Sequence, residues 1–351
     1  MSASLSTTRD YHASSMTTLG WELTVCNALA DPRSPLRRFV PGGLSFGRLL
    51  YEHLARFIPV DDVRRIIEVG GGYGFLMRDF MARNPRLEAT MLDVSPVMLR
   101  EQAYLLRGRD VGFVERDFFE LDGPFLSRFE MAVLNECIGD FPALCDVPSR
   151  SLETGEPDNI HLERARYFFT RYALPAPQNG MFNFNLGAAE ALERLCTAGI
   201  PYIYLSEHSA EATVPPALAG LVDISCDGNP RRIALKGHFE YTIKFSHLES
   251  IARVHGYAVV RGPYADFLLA EPGDELRFIM RARASKSGEQ EMIRQFIEDL
   301  CEYEYLLIYH GDHAASDPTS DPKRTGRPGR GTEDQQAENI KKTERSTSND
   351  H

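Results

Sequence analysis

The 351-residue sequence has no run of the roughly 18 apolar residues that a membrane-spanning helix requires, so insertion into a bilayer is not expected. Basic residues are in the minority, 39 Lys and Arg against 50 Asp and Glu for a net charge of −11. That balance argues against the basic face of a nucleic-acid binder. Cysteine is sparse: Cys26, Cys137, Cys145, Cys196, Cys226 and Cys301 are scattered, with no Cys-x-x-Cys pair and no His at zinc-ligand spacing. A disulfide scaffold and a structural metal are therefore not expected, and free thiols in a reducing, cytoplasmic setting are. The stretch Met1–Ser15 is rich in Ser and Thr and lacks the apolar centre of a signal peptide.

What is present is an alternation of strands and helices. Arg64–Gly70 reads as a buried strand ending in glycines, followed by a helix over Phe75–Arg83. Leu87–Ser95 is a second strand, and Pro96–Gly108 a helix with proline suited to its first turn. Val111–Asp117, Glu130–Asn135, Gly180–Leu186 and Pro201–Ser206 follow as strands, with a helix over Gly187–Ala198. This rhythm predicts an α/β fold, a Rossmann-like doubly wound sheet with helices on both faces. Residues 1–62 form an N-terminal helical extension with a helical patch at Leu44–Ile58, and 63–285 the ligand-binding domain. Pro142–Gln178 is a proline-interrupted insertion above the sheet, carrying an amphipathic helix from Ile160 to Tyr172. Residues 286–310 read as a C-terminal helix, with an apolar stripe from Met292 to Ile308, a cap at Ser287 and a stop at Gly311. Residues 311–351, nearly devoid of apolar side chains, are expected to be a disordered tail.

The chemistry starts at Glu68-Val69-Gly70-Gly71-Gly72-Tyr73-Gly74, between the first strand and its helix. In an open parallel sheet, ligands bind beyond the carboxyl ends of the strands where strand order reverses. Glycines there let the backbone approach a ligand without a Cβ intervening. The dinucleotide fingerprint G-x-G-x-x-G would need a third glycine at position 75, which is Phe75. An NAD-dependent oxidoreductase is thus a distant reading. Asp93 ends the next strand, where a carboxylate can accept hydrogen bonds from both ribose hydroxyls. Asp117 ends the third strand before Phe118 and Phe119, a setting suited to adenine: the acid takes the exocyclic amine and a ring covers the face.

The order of the glycine loop, Asp93, Asp117 and Asn135 resembles the successive motifs of class I S-adenosylmethionine-dependent methyltransferases. That resemblance implies S-adenosyl-L-methionine as cofactor. It places Glu68, Gly70, Gly72 and Gly74 at the methionine and ribose end, Asp93 and Val94 at the ribose, Asp117 and Phe118 at the adenine, and Asn135 below the reactive methyl. Leu92-Asp93-Val94-Ser95-Pro96-Val97-Met98-Leu99-Arg100-Glu101-Gln102 is further similar to a segment of the MidA-type branch, whose mitochondrial relative is an assembly factor of respiratory complex I. Asn135-Glu136 with Pro142, Phe245–Ala252 with Gly256-Tyr257, and Gly262-Pro263 with Phe267-Leu268 resemble other segments of that branch. Departures exist: Gly71 stands where the branch has proline, Gly139 where it has aspartate, and Ser206-Glu207-His208 where it has Asp-Tyr-Gly.

Methyl transfer needs an aligned nucleophile and exclusion of water. For a guanidinium acceptor, as the branch resemblance implies, Glu136 and Glu207, with Asp140 as a third, are the candidate carboxylates. His208 is instead suited to act as base toward a hydroxyl. The expected acceptor is a protein arginine side chain; the alternatives are a small molecule or sugar, methylated on O or N, and an assembly factor that binds the cofactor without turnover.

Overall fold

The computed structural model describes residues 3–15, 24–152, 159–177, 179–235 and 237–311. The chain runs β1 (Ser4–Ser6), α1 (Val25–Ala28), α2 (Phe46–Leu54), β2 (Arg65–Val69), α3 (Phe75–Arg83), β3 (Glu88–Asp93), α4 (Pro96–Leu105) and β4 (Val111–Glu115). It continues through α5 (Gly123–Leu126), β5 (Met131–Asn135), β6 (Ala143–Pro148), α6 (Ile160–Arg171), β7 (Met181–Phe184), α7 (Leu186–Thr197) and β8 (Tyr202–His208). A short hairpin of β9 (Arg232–Ala234) and β10 (Phe239–Tyr241) precedes α8 (Phe245–Val254) and β11 (Tyr257–Pro263). Three helices, α9 (Ala265–Leu268), α10 (Asp274–Arg281) and α11 (Gly288–Glu302), lead to β12 (Tyr303–His310).

Seven strands form the main sheet in the order β11-β12-β8-β5-β2-β3-β4. The pairs β4/β3, β3/β2, β2/β5 and β5/β8 are parallel, whereas β12 runs antiparallel to both β8 and β11. The chain leaves β2 toward β4 on one side and resumes at β5 on the other, so the switch point lies between β2 and β5. Side-chain alternation along each strand divides the interior into two cores. Ile66, Met91, Met131, Val133, Tyr204 and Leu307 face α2, α3 and α11. Ile67, Leu92, Ala132, Leu134, Ile203 and Leu306 face α6, α7 and α8. The doubly wound α/β architecture expected from the sequence is the one found.

Three expectations are corrected. The helix expected over 286–310 ends at Glu302, and Tyr303–His310 is a strand inside the main sheet. A strand buried on both faces is apolar at nearly every position, so Leu307 and Ile308 also extended a helical stripe. The aromatic and β-branched run favours strand, and insertion between β8 and β11 decides it. Gly180–Leu186 does contain a strand, β7, but it joins β6 and β1 in a separate three-stranded antiparallel sheet. The N-terminal extension is not purely helical: β1 pairs with β6, Leu5 opposite Leu144, and Val25, Phe46 and Leu50 are part of the first core.

Helix boundaries follow local chemistry. Ser95 caps α4 through its side chain, which accepts from the Met98 amide, with Pro96 in the first turn. Asn159 caps α6 in the same way. All six cysteines are free thiols. Among the described residues no helix is long and apolar enough to cross a membrane. The tail expected from Gly311, apart from that residue, and most of the charged stretch in the 142–178 insertion lie outside the described residues.

Leu306 is fully buried in the second core. Leu306→Ala should therefore lower unfolding free energy by about 2–5 kcal/mol, read as a shifted midpoint in chemical denaturation. A helix ending at Tyr309 with Leu306 on an exposed face would give almost no shift.

Candidate functional site

Beyond the carboxyl ends of β2, β3 and β5, the loops enclose a cavity. Val69, Gly70 and Gly72 line one side, Asp93 and Val94 the next, and Asp117, Phe118 and Phe119 the far end. Glu136, Cys137, Asp140 and Phe141 close it from the β5 side. A smaller cavity adjoins it across the glycine turn, sharing Gly70, Gly72 and Glu136 and adding Glu68, Asn135, Thr24 and Asn27.

The turn is held by its neighbours. Gly70 and Gly72 adopt φ of 63° and 53°, left-handed values that favour glycine. A Cβ at Gly70 would lie 2.8 Å from the Cys137 Cβ, so the β2 and β5 loops touch there. Gly74 lies outside both cavities: it caps α3 at φ 84° and packs on Gln102 of α4. In this position its left-handed φ lets the helix start.

Gln102 gives the Ser-Pro segment a physical function. Its side-chain amide donates to the Gly72 carbonyl at 2.9 Å and to Asp93 Oδ2 at 3.3 Å. The Ser95 amide donates to Asp93 Oδ1 at 2.9 Å. One fully buried glutamine thus ties the glycine turn to the acid on the neighbouring strand. At the opposite end, Asp117 Oδ1 accepts the Phe119 amide and its Oδ2 pairs with Arg9 at 2.7 Å. Phe118, Phe119 and Phe141 form an aromatic wall, with Phe118 stacked on Phe141 at 6.0 Å between centroids.

Asn135 Oδ1 accepts from Ser206 Oγ at 3.0 Å and Tyr264 OH at 3.1 Å, while its amide donates to Glu136 Oε1 at 3.1 Å. Glu136 has φ 54°, a strained value for a non-glycine residue that turns its carboxyl back toward the cavity; its Oε2 accepts the Val25 amide at 3.0 Å. The other candidate catalytic residues are elsewhere. Glu207 is buried, accepts the Gly139 amide at 3.0 Å and the His208 amide at 2.9 Å, and does not line the cavity. His208 lies against Tyr303, the rings tilted by 35° with centroids 3.9 Å apart, also away from the cavity. Burial works to lower the His208 pKa, but the hydrogen bond and charge of Glu207 outweigh it and leave the pKa raised. Asp140 is on the cavity wall. Of the four, Glu136 and Asp140 come together with the cofactor candidates, and Glu207 and His208 stand behind the loop that carries Asp140.

The acids are electrostatically uncomfortable. Burial, and then the charge of Asp93, push Glu68 up to about 8, and its Oε2 has no hydrogen-bond partner. Burial raises Asp93 to about 6 despite the donors from Ser95 and Gln102. Burial, and next the charge of Glu207, raise Glu136 to about 8. A positive charge placed beside them would lower all three.

No local motif announces the cavity's roof. Thr7, Thr8, Arg9 and His12 lie across it. Thr8 Oγ1 donates to the Asp140 carbonyl at 2.8 Å, and His12 Nε2 is 2.8 Å from Asp140 Oδ1. These partners are more than a hundred positions apart, so no local spacing could reveal them.

Sheet order, switch point and carboxylates at strand ends together define a Rossmann-like domain with a ligand cavity at its switch point. No family model and no curated protein matches the sequence. Solved structures do resemble it. An uncharacterized protein from Burkholderia thailandensis is 12% identical with a TM-score of 0.48, covering 88% of this chain and 90% of that one. A second protein from Burkholderia thailandensis, solved with S-adenosyl-homocysteine bound, is 13% identical with a TM-score of 0.46, covering 78% of each chain. The plantazolicin methyltransferase BpumL, in complex with SAH, is 11% identical with a TM-score of 0.40, covering 86% of this chain and 95% of that one.

Glu68 makes a pH prediction. Its folded pKa of about 8 lies above the ordinary 4.5. Between those values the folded chain keeps a proton that the unfolded chain has lost, so this group makes stability fall as pH rises through that window and adds no slope above it. In the ligand-free protein, Glu68→Gln should make the decline from pH 5 to 8 shallower by up to about 1.4 kcal/mol per pH unit. Denaturation at pH 5, 6.5 and 8 checks this, and parallel curves for both proteins would refute it.

Proposed function

We propose that this chain is an S-adenosylmethionine-dependent methyltransferase acting on a small-molecule nucleophile. The observation that carries the reading is the set of charge-starved carboxyls, Glu68, Asp93 and Glu136, around a glycine turn at the switch point. A ligand with a sulfonium and an ammonium group supplies the missing positive charge. A dinucleotide would instead bring a diphosphate against the same acids, which weighs against the oxidoreductase alternative.

The residues present fit the cofactor. Glu68, with its unpartnered Oε2, and the small cavity beside Asn135 suit the methionine end. Asp93, oriented by Ser95 and Gln102, suits the ribose hydroxyls. Phe118, Phe119 and Phe141 suit the adenine face, and Asp117 its amine, sharing that carboxylate with Arg9. When bound, the sulfonium supplies an activated methyl on a good leaving group. The chain's part is to align the acceptor and keep water out, which Thr8, Arg9 and His12 do from above. A cation beside Glu136 would draw its pKa down, leaving a carboxylate able to take the acceptor's proton.

The choice of acceptor rests on Glu207. A guanidinium calls for paired carboxylates, but Glu207 spends its oxygens on the Gly139 and His208 amides. Asp140 is occupied by His12, and a roof lies over the opening. Both favour a small O or N nucleophile over the protein arginine that the MidA-type resemblance implies.

Calorimetric titration with S-adenosylmethionine should show one site, and Asp93→Asn should weaken it by about tenfold or more, as loss of a charged hydrogen-bond acceptor does. Binding of NAD with no binding of S-adenosylmethionine would overturn the reading. With methyl-labelled cofactor and cell extract, label should enter small molecules; label confined to protein would restore the arginine alternative.

A further inference from the structure

Three side chains from distant segments meet at the rim of the cavity. His12 belongs to the turn Tyr11–Ser15, Asp140 ends the turn Ile138–Asp140 after β5, and His238 sits in the tip of the β9–β10 hairpin. Asp140 Oδ1 is 2.8 Å from His12 Nε2 and 3.8 Å from His238 Nε2. One potential donor atom from each lies within 4.8 Å of the others. Glu240 Oε1 is 3.3 Å from His238 Nε2, putting a second carboxylate at the edge of the group. Tyr11 stacks on the His238 ring at 4.2 Å and fixes its plane.

We propose that His12, Asp140 and His238 form a binding site for a borderline divalent cation, with zinc the best match, and that this ion pins the N-terminal segment across the cavity. Two imidazole nitrogens and a carboxylate oxygen are the donor set that zinc takes, at about 2.0–2.2 Å each. Tetrahedral ligands at that radius stand roughly 3.3–3.6 Å apart, so the 2.8 Å contact opens by roughly half an ångström and the widest separation, within 4.8 Å, closes by at most about 1.5 Å. Glu240 or water completes the shell. The three ligands come from three loops, which is why no His or Cys spacing in the sequence announces the site.

The ion has a mechanical consequence. His12 is one residue from Tyr11 and four from Thr8, and Thr8, Arg9 and His12 all line the cavity. Joining His12 to Asp140 and His238 fastens the roof to the wall and to the hairpin at one point. Without the ion the same junction rests on a hydrogen bond between His12 and Asp140.

The test uses the full chain, stripped with a chelator and titrated with zinc chloride against a chromogenic competitor. Wild type should bind one equivalent more than His12→Ala and His238→Ala, with a dissociation constant of about micromolar or tighter. The six cysteines and any other histidines contribute a background common to all three proteins. Zinc should also slow tryptic cleavage at Arg9 in wild type and leave the rate in both variants unchanged. Equal stoichiometry in the three proteins, or zinc protection that survives His12→Ala, would overturn the proposal. Should an alanine variant melt early, Asp140→Asn, of the same shape, replaces it with the same expected loss of one equivalent. Neither readout involves S-adenosylmethionine, so failure here and failure of the methyltransferase reading are separate results.

Discussion

Three carboxyl groups are largely withdrawn from water around one glycine turn, and among the described residues no lysine or arginine forms an ion pair with them. Each is there because the fold puts it there: Glu68 within β2, Asp93 at the end of β3, Glu136 just past the end of β5. Burying an unpaired carboxylate costs several kcal/mol, and a group in that position takes up a proton instead. The raised values of Glu68 and Glu136 express that cost. Such a cluster lowers the stability of the folded chain by itself, and a cation bound beside it would recover that cost. The glycine turn between them has its own local cause: Gly70 and Gly72 adopt left-handed φ, and a Cβ at Gly70 would meet Cys137.

What was legible in the sequence is what is local. Strand β2, its glycine turn and α3 are contiguous, and the positions of Asp93 and Asp117 depend only on where the next two strands end. Gln102 was legible as part of a segment but not as a tie, because its bonds to Gly72 and Asp93 exist only once α4 lies against the turn. Glu207 and His208 looked equivalent to Glu136, all being polar residues at adjacent strand ends. The difference arises from the loop after β5, whose Gly139 amide faces Glu207 and takes its carboxylate away from the cavity. A strand end tells which loop a residue belongs to, not which way its carboxylate turns.

The strand β12 and the roof were illegible for a common reason. Each is specified by a partner far away in sequence: β12 by β8 and β11, and β1 by β6. Apart from Glu304 and His310, Tyr303–His310 is apolar or aromatic at every position and satisfies a helical stripe as readily as a central strand. Ser4–Ser6 is too short and polar to carry any period at all. Pairing supplies the missing information in both cases, and pairing cannot be read from one segment.

The roof is held unevenly. Its contacts at Arg9 are ion pairs to Asp117 and Glu120 from a side chain about half exposed. Pairs of that kind contribute at most about 1 kcal/mol. The bond from Thr8 and the junction at His12 are better shielded, and β1 adds a short antiparallel ladder to β6. The Arg9 crossing is therefore the weakest of these attachments, and the aromatic end at Asp117, Phe118 and Phe119 is the part of the cavity least firmly covered.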